Sequence, residues 1–207
     1  MKYILLFILT ISLWSCGSSD LGEPQDKSLA AKIPAKEMLE SDSSFLLSSD
    51  GRLFLDSILY SGYLVSYYPD GSLKSKKGVY HGKFEGDYIS YYPSGQIYTL
   101  RPYHVGEKHG EHLGYFENGK LRFQYIFVNG LSEGTHRTWF ENGDLKMEMN
   151  YENGKERGLQ RVWRPDGKMR SNYVVRENGR KYGMLGLKRC AKVDSETGDI
   201  DPYRGNL

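Results

Sequence analysis

Cysteine is nearly absent: Cys16 and Cys190 are the only two in 207 residues, and no Cys pair stands at zinc-binding spacing. No glycine-rich stretch leads into a helical pattern, which excludes a phosphate-cradling loop, and no Gly-x-Ser-x-Gly elbow presents a nucleophilic serine. The one long apolar stretch lies in the first fifteen residues and is too short to span a membrane comfortably. The formal net charge of +2 is too small to point to any class of partner. These absences predict a chain with no enzymatic activity, no cofactor, no metal and no small-molecule substrate. What is abundant is tyrosine, at 17 residues, and glycine, at 24, against an apolar content of 39%. That balance favours a turn-rich, aromatic-rich β protein of one domain plus tails over a helical bundle.

The N-terminus is set aside first. "MKYILLFILTISLWSC" carries one lysine, then an apolar stretch broken only by Thr10 and Ser12, then Leu13-Trp14-Ser15-Cys16. This is the layout of a secretory signal over residues 1–15. A cysteine after a small residue at the end of the run resembles a bacterial lipoprotein signal. Leu13 and Ser15 match that pattern, while Trp14 departs from the small or aliphatic residue usual there. The resemblance implies lipid attachment at Cys16, which becomes the mature N-terminus, and so a membrane partner reached through the lipid. Gly17 in place of an acidic residue implies the outer membrane. The alternative is an ordinary signal peptide that happens to hold a cysteine. With Cys16 acylated, Cys190 is the one thiol left, either a pairing or reactive group or a small buried apolar residue.

Residues 16–49 are rich in Ser, Asp, Glu and Lys, with two prolines and few large apolar side chains. Such a stretch buries too little to fold alone and reads as a disordered, flexible tether. A short helix over Ala30–Leu39 stays open, although Pro34 argues against a long one. Residues 50–61, within which "GRLFLDSILYSG" (51–62) begins and which it overruns by Gly62, look like a degenerate first hairpin arm.

From there the chain is periodic. Gly62, Gly86, Gly110, Gly134 and Gly158 are 24 residues apart, and so are Gly71, Gly95, Gly119, Gly143 and Gly167. A third series, Gly82, Gly106, Gly130 and Gly154, keeps the step and then arrives one residue late at Gly179. The second series closes the pentapeptides "YYPDG", "YYPSG", "YFENG", "WFENG" and "WRPDG". Each unit has room for two short strands and two turns, the Pro-Asp-Gly tips fitting a type I turn closed by a glycine bulge. The fold expected is all-β: an elongated antiparallel β-meander of five 24-residue hairpin repeats over 62–183, followed by a cap and polar tail at 184–207.

Alternation assigns two faces. One parity carries Leu73, Val79, Ile97, Tyr103, Leu121, Phe123, Tyr125, Phe127, Leu145, Met147, Met149 and Tyr151. With a three-residue tip it continues onto Tyr67, Tyr91, Tyr115, Trp139 and Trp163, forming an apolar face. The other parity carries Lys74, Lys76, Arg122, Gln124, Lys146, Glu148 and Arg170 beside Tyr68, Tyr92, Phe116 and Phe140. A two-residue tip would exchange the aromatic columns. The second parity is either a binding strip for a protein or glycan chain or cross-strand and cation–π packing. The apolar face needs a cover, from curling, from Phe45–Tyr60 or from a partner.

"VGEKHGEHLGYFENGKLRF" and "ENGKERGLQRVWRPDGKMR" resemble the variant MORN repeat, the unit of proteins labelled YwqK-type antitoxins, and the likeness runs from about Gly62 to Gly183. It implies a hairpin sheet without a catalytic centre, and neutralisation of a toxin as one activity.

The best metal candidate, "HVGEKHGEH", dissolves against the repeat. His109 falls at the position of Glu85, Glu133 and Arg157, expected in a solvent-facing turn. His112 and His136 are equivalent positions about 9.6 Å apart, too far to share an ion, and are expected at the surface. Charge is uneven: residues 17–61 hold eight acids and four bases, whereas 62–183 hold nineteen bases and fourteen acids. The excess gathers in the last full repeat, where Arg161, Arg164, Lys168, Arg170, Arg176, Arg180 and Lys181 face only Asp166 and Glu177. Such a patch suits anionic lipid headgroups, lipopolysaccharide or an acidic protein, or else it is a solvated sheet end whose charges deter edge pairing. Nucleic acid is not expected for an exported chain of near-neutral charge. The chain is expected to be a membrane-anchored repeat lipoprotein that binds or scaffolds at the bacterial envelope, the alternative being an antitoxin or immunity-like protein. Its expected partner-binding residues are Arg161, Arg164, Lys168 and Arg170 with Tyr68, Tyr92, Phe116 and Phe140.

Overall fold

The computed structural model describes residues 32–186 and the short strands Lys192–Val193 and Ile200–Asp201. The signal segment, Cys16, the first part of the expected tether, Cys190 and most of the tail lie outside the described residues. The strands are β1 Glu37–Leu39, β2 Phe45–Leu47, β3 Leu53–Leu55, β4 Ile58–Leu59, β5 Gly62–Tyr67, β6 Leu73–Tyr80, β7 Lys83–Tyr91 and β8 Ile97–His104. They continue as β9 Glu107–Lys108, β10 Gly110–Tyr115, β11 Leu121–Val128, β12 Leu131–Trp139, β13 Leu145–Glu152, β14 Lys155–Trp163, β15 Met169–Val175 and β16 Lys181–Met184. No helix occurs among the described residues. From β5 to β16 the strands pair antiparallel in chain order, the short β9 folding back on β8 alone so that β10 pairs with β8, and this gives the meander that the glycine period predicts.

Two kinds of turn alternate, and each explains one glycine series. At the first kind, Tyr68 N–H donates to Ser72 O at 2.8 Å and Gly71 N–H to Tyr68 O at 2.9 Å, closing the three-residue tip Pro69-Asp70-Gly71. The Asp70 carboxylate accepts from Ser72 N–H at 2.9 Å, and Asn118, Asn142, Asp166 and Asn178 do the same two residues on. That Asx contact is why the tips read Asp-Gly or Asn-Gly. At the second kind, His81, Val105, Asn129 and Asn153 have φ of 47–51° and a glycine follows each, the left-handed pair of a two-residue type I′ turn. Gly179 comes one residue late because its turn is of the three-residue kind, with Arg176 N–H donating to Arg180 O at 3.0 Å.

The face assignment needs a correction. Tyr67 opposes Leu73, but Ser66 opposes Ser75, so Lys74 is an extra residue, and the same shift recurs beside every such tip up to Trp163. A one-residue bulge moves everything beyond it to the other face. Tyr68, Tyr92, Phe116 and Phe140 therefore stand on the apolar face, with Phe123, Tyr125 and Met147. Alternation carries Tyr67, Tyr91, Tyr115, Trp139 and Trp163 to the opposite face, where Trp163 lies under the Arg161 guanidinium at 5.5 Å. The tip has three residues as expected; the bulge exchanges the columns.

The N-terminal segment also departs from expectation. Residues 32–49 contain strands, not a tether or a helix. β1 adds to β5 in parallel, Leu39 opposite Val65, and Ile33 is buried. β2, β3 and β4 form a separate three-stranded sheet that lays Phe45, Leu53 and Leu55 over Tyr60, Leu64 and Val79. Leu53 N–H donates to Gly82 O at 2.8 Å and Gly82 N–H to Tyr60 O at 2.7 Å, which docks this cap on the first type I′ turn. Val79, at 0% exposed, marks the centre of that core. A second core of Met149, Tyr173 and Val175 closes the far end. The middle of the apolar face is packed by rings.

Gly114 shows how tight that packing is. A Cβ there would run into the Phe123 ring across the strand pair. Gly114→Ala is expected to lower stability by about 1–3 kcal/mol through overpacking. Gly114→Ser should cost no less. Urea unfolding at neutral pH checks both.

Candidate functional site: a cationic aromatic groove

Once per repeat the ladder breaks between the second strand of one hairpin and the first of the next. Lys77 opposes Tyr88 and Val79 opposes Phe84, so Gly78 alone faces Glu85, Gly86 and Asp87. The β13–β14 junction breaks identically, with Met149 opposite Gln160 and Tyr151 opposite Glu156. Gly86, Gly110, Gly134 and Gly158 sit in these breaks at φ between 66 and 83°, the left-handed region glycine enters without steric cost. The broken ladder leaves backbone groups that side chains must satisfy. His112 donates from Nε2 to Pro102 O at 2.9 Å, His136 from Nε2 to Ile126 O at 2.8 Å. Gln160 does it twice, donating to Asn150 O at 2.8 Å and accepting Asn150 N–H at 2.9 Å.

These histidines are not at the surface: His112 is 3% and His136 5% exposed. Their acceptors are carbonyls, which fixes the Nε2–H tautomer in both. His136 stacks on Tyr125 at 4.9 Å and leans on Tyr151 at 4.6 Å, while His112 packs on Phe127 at 4.7 Å. Nor is the position of Glu85 a solvent-facing turn. Glu85 is 6% exposed and accepts Val105 N–H at 2.7 Å, and Glu133 accepts Asn153 N–H at 2.9 Å. His109 receives Asn129 N–H at 3.4 Å in the same way. Each turn is tied to a side chain twenty residues earlier. Among the described residues no three His, Cys, Asp or Glu side chains gather closely enough to hold a metal.

Beside the buried histidines the apolar face opens into a groove of about 480 Å³ lined by Arg101, Lys108, Arg122 and Lys146 with Phe116, Phe123, Tyr125 and Phe127. Arg101 also lines a second hollow of about 780 Å³ toward the N-terminus, which holds Tyr68, Lys74 and Tyr98. No carboxylate lines the first groove, and Glu40, paired with Lys77, is the one carboxylate at the second. The cations rest on rings instead: Lys74 on Tyr68 at 5.7 Å, Lys108 on Phe127 at 5.0 Å, Arg122 on Tyr98 at 4.4 Å and Lys146 on Phe140 at 5.6 Å. Arg122 donates to Tyr98 Oη at 3.0 Å, and its Nε has no partner. A ring attracts a cation by about 0.5–1 kcal/mol without neutralising it. The positive charge stays available to an anion.

The opposite face is arranged differently. Glu148 bridges Arg137 and Arg161, Lys76 pairs with Glu37 at 2.6 Å, and Gln124 bonds Glu111. The expected basic patch is divided between the faces. Arg161 is committed to Glu148 on the far side. Arg164 reaches Asp166 at 3.5 Å and Lys168 reaches it at 3.9 Å, both at a tip, and Lys181 pairs with Glu156 at 2.6 Å. Arg170 alone of the four named residues continues the groove, in the column of Lys74, Arg122 and Lys146.

The aromatic column does double work. Tyr68 and Tyr92 donate from their hydroxyls to Tyr91 O at 2.8 Å and Tyr115 O at 3.0 Å, bracing one repeat on the next, while Phe116 lines the groove. Sequence reasoning missed Arg101 and Lys108. Arg101 was legible as a cation, like Lys77 one repeat earlier, in the register of Tyr125, Met149 and Tyr173; Lys108 had no such signal.

The hairpins themselves have known relatives. The MORN repeat variant matches residues 84–104, 108–129 and 132–153. Each match spans one hairpin of the kind described, so three consecutive repeats of the sheet are MORN repeat variants. No curated protein matches the chain.

Burial pulls His112 down to about 4, with Lys108 and Arg101 adding to it, and lowers His136. An unfolded histidine titrates near 6.5. The unfolded chain therefore takes up protons first, and stability present above pH 6.5 is lost as pH falls toward 4. For His112 the slope approaches about 1.4 kcal/mol per pH unit between the two values, and His136 adds to it in the same direction. Because Gln160 fills the equivalent position, the double variant His112→Gln/His136→Gln should fold at pH 7.5 and show a flatter stability profile between pH 6.5 and 5. Urea midpoints at both pH values measure it.

Proposed function

We propose that the chain is a non-enzymatic binding module held at the bacterial envelope through lipid on Cys16, and that its apolar face takes an anionic macromolecule. The observation that supports this reading is the set of cations held on aromatic rings without carboxylate partners, all on one face of a sheet whose other face pairs its charges. Repeats of this kind are often involved in binding or membrane association. Anchorage in the outer membrane is the placement favoured by Gly17 after the cysteine. A lipid at residue 16 leaves residues 17–31 between it and the first described residue.

Two measurements test the two halves. The triple variant Arg101→Gln/Arg122→Gln/Lys146→Gln should leave a sulfated-dextran matrix at clearly lower salt than wild type, while the control Lys155→Gln should not. Equal elution overturns the groove. Metabolic fatty-acid labelling should mark the wild type and not Cys16→Ala, with the variant moving to the soluble fraction. An unlabelled wild type overturns the anchor.

A further inference from the structure

The repeat imposes a spacing on the groove. Equivalent residues lie two strands apart, about 9.6 Å at about 4.8 Å per strand. Lys74, Arg122, Lys146 and Arg170 occupy one column at this spacing, with Tyr98 in the second place. Tyr98 interrupts the charge, and Arg122 leans back onto its hydroxyl at 3.0 Å. The column crosses the strands, so a ligand that meets every cation must lie across the hairpins and present an acidic group at each step.

Few polyanions have that period. An extended peptide turns alternate side chains to one side at about 6.6 Å, and every third residue, at about 10 Å, faces the other way. A helix repeats about every 5.4 Å. Nucleic acid carries a phosphate about every 3.4 Å along each strand, far denser than the cations. An extended polysaccharide in which every second sugar is acidic does match, because its disaccharide unit covers about the distance of two strands. Between the cations its uncharged sugars would meet rings such as Phe116 and Phe123, whose faces suit the C–H surfaces of a sugar. We infer that the groove takes an extended acidic polysaccharide with one carboxylate per disaccharide, laid across the strands in step with the 24-residue repeat. This rests on the reading of the groove as a polyanion site.

Hyaluronan oligosaccharides, which carry one carboxylate per disaccharide, serve as the probe, with the protein's intrinsic fluorescence as the reporter. The full chain is titrated with oligomers of rising length, and with polyglutamate, oligogalacturonate and neutral dextran. Affinity should rise with each disaccharide up to about five, the span from Lys74 to Arg170, and then level off. Arg122→Gln and Lys146→Gln should each weaken binding about three- to tenfold, as the loss of one solvated charge contact does. Lys155→Gln should leave it unchanged. Polyglutamate or oligogalacturonate binding as tightly as hyaluronan, or affinity with no length plateau, overturns the inference while sulfated-dextran retention keeps the polyanion site. Failure to bind any polyanion removes both.

Discussion

A backbone hydrogen bond that is missing once in every 24 residues governs much of this molecule. At each glycine bulge one residue of a hairpin faces three of the next, and the carbonyl stranded there must find a donor inside a thin sheet. Leaving it unsatisfied would cost about 1–3 kcal/mol per repeat. His112, His136 and Gln160 supply the donor, which puts a polar side chain in the middle of the apolar face where pattern alone would place an aliphatic one. The rings that pack round these side chains, Phe127, Tyr125 and Tyr151, are the packing of the sheet's middle. The bulge, its polar plug and the aromatic stack are one device repeated.

The same device accounts for the groove. Rings standing side by side on one face offer flat surfaces on which long cations can lie, and the second bulge, beside each three-residue tip, swings Lys74, Arg122 and Lys146 onto that face. On the other side Glu148 and Glu37 neutralise their neighbours, and at the groove side only Glu40 does so, on Lys77. The sheet thus holds cations in two ways: paired with an acid, as Arg161 and Lys76 are on the far face, or supported by a ring alone, as Lys74, Arg122 and Lys146 are at the groove. Only the second leaves charge for a ligand.

The turns were legible because each is dictated locally. Asp-Gly and Asn-Gly tips follow from Asx contacts and left-handed backbone, and both are written in the glycine series. The strand order followed from the same period. What the pattern concealed was parity. A bulge beside Lys74 adds one residue without disturbing the glycine spacing, so Tyr68 and Tyr67 exchange faces unannounced. The histidines were misjudged for a related reason: their polarity suggests solvent, and nothing in the residue order reveals the stranded carbonyl of Pro102 or Ile126. Residues 32–49 were discounted because Ile33, Met38 and Phe45 are few. Each nevertheless meets a surface the repeats leave open, and three well-placed apolar residues suffice. The basic cluster of the last repeat looked like one surface only because residues adjacent in sequence were counted together; Arg161 and Arg170 belong to opposite sides.

The tyrosine braces are unevenly distributed along the array. Tyr68 and Tyr92 each reach a carbonyl in the next repeat, while Phe116 and Phe140, at the same positions, have no hydroxyl to do so. In a linear array the interfaces between neighbours set how far a local opening spreads. The repeats nearest the N-terminal cap carry this tyrosine latch, and those beyond Tyr115 lack it. Fraying should begin at the C-terminal hairpins and halt at the latches, so that amide exchange slows stepwise toward the N-terminus and the groove's outer half breathes while its inner half stays shut.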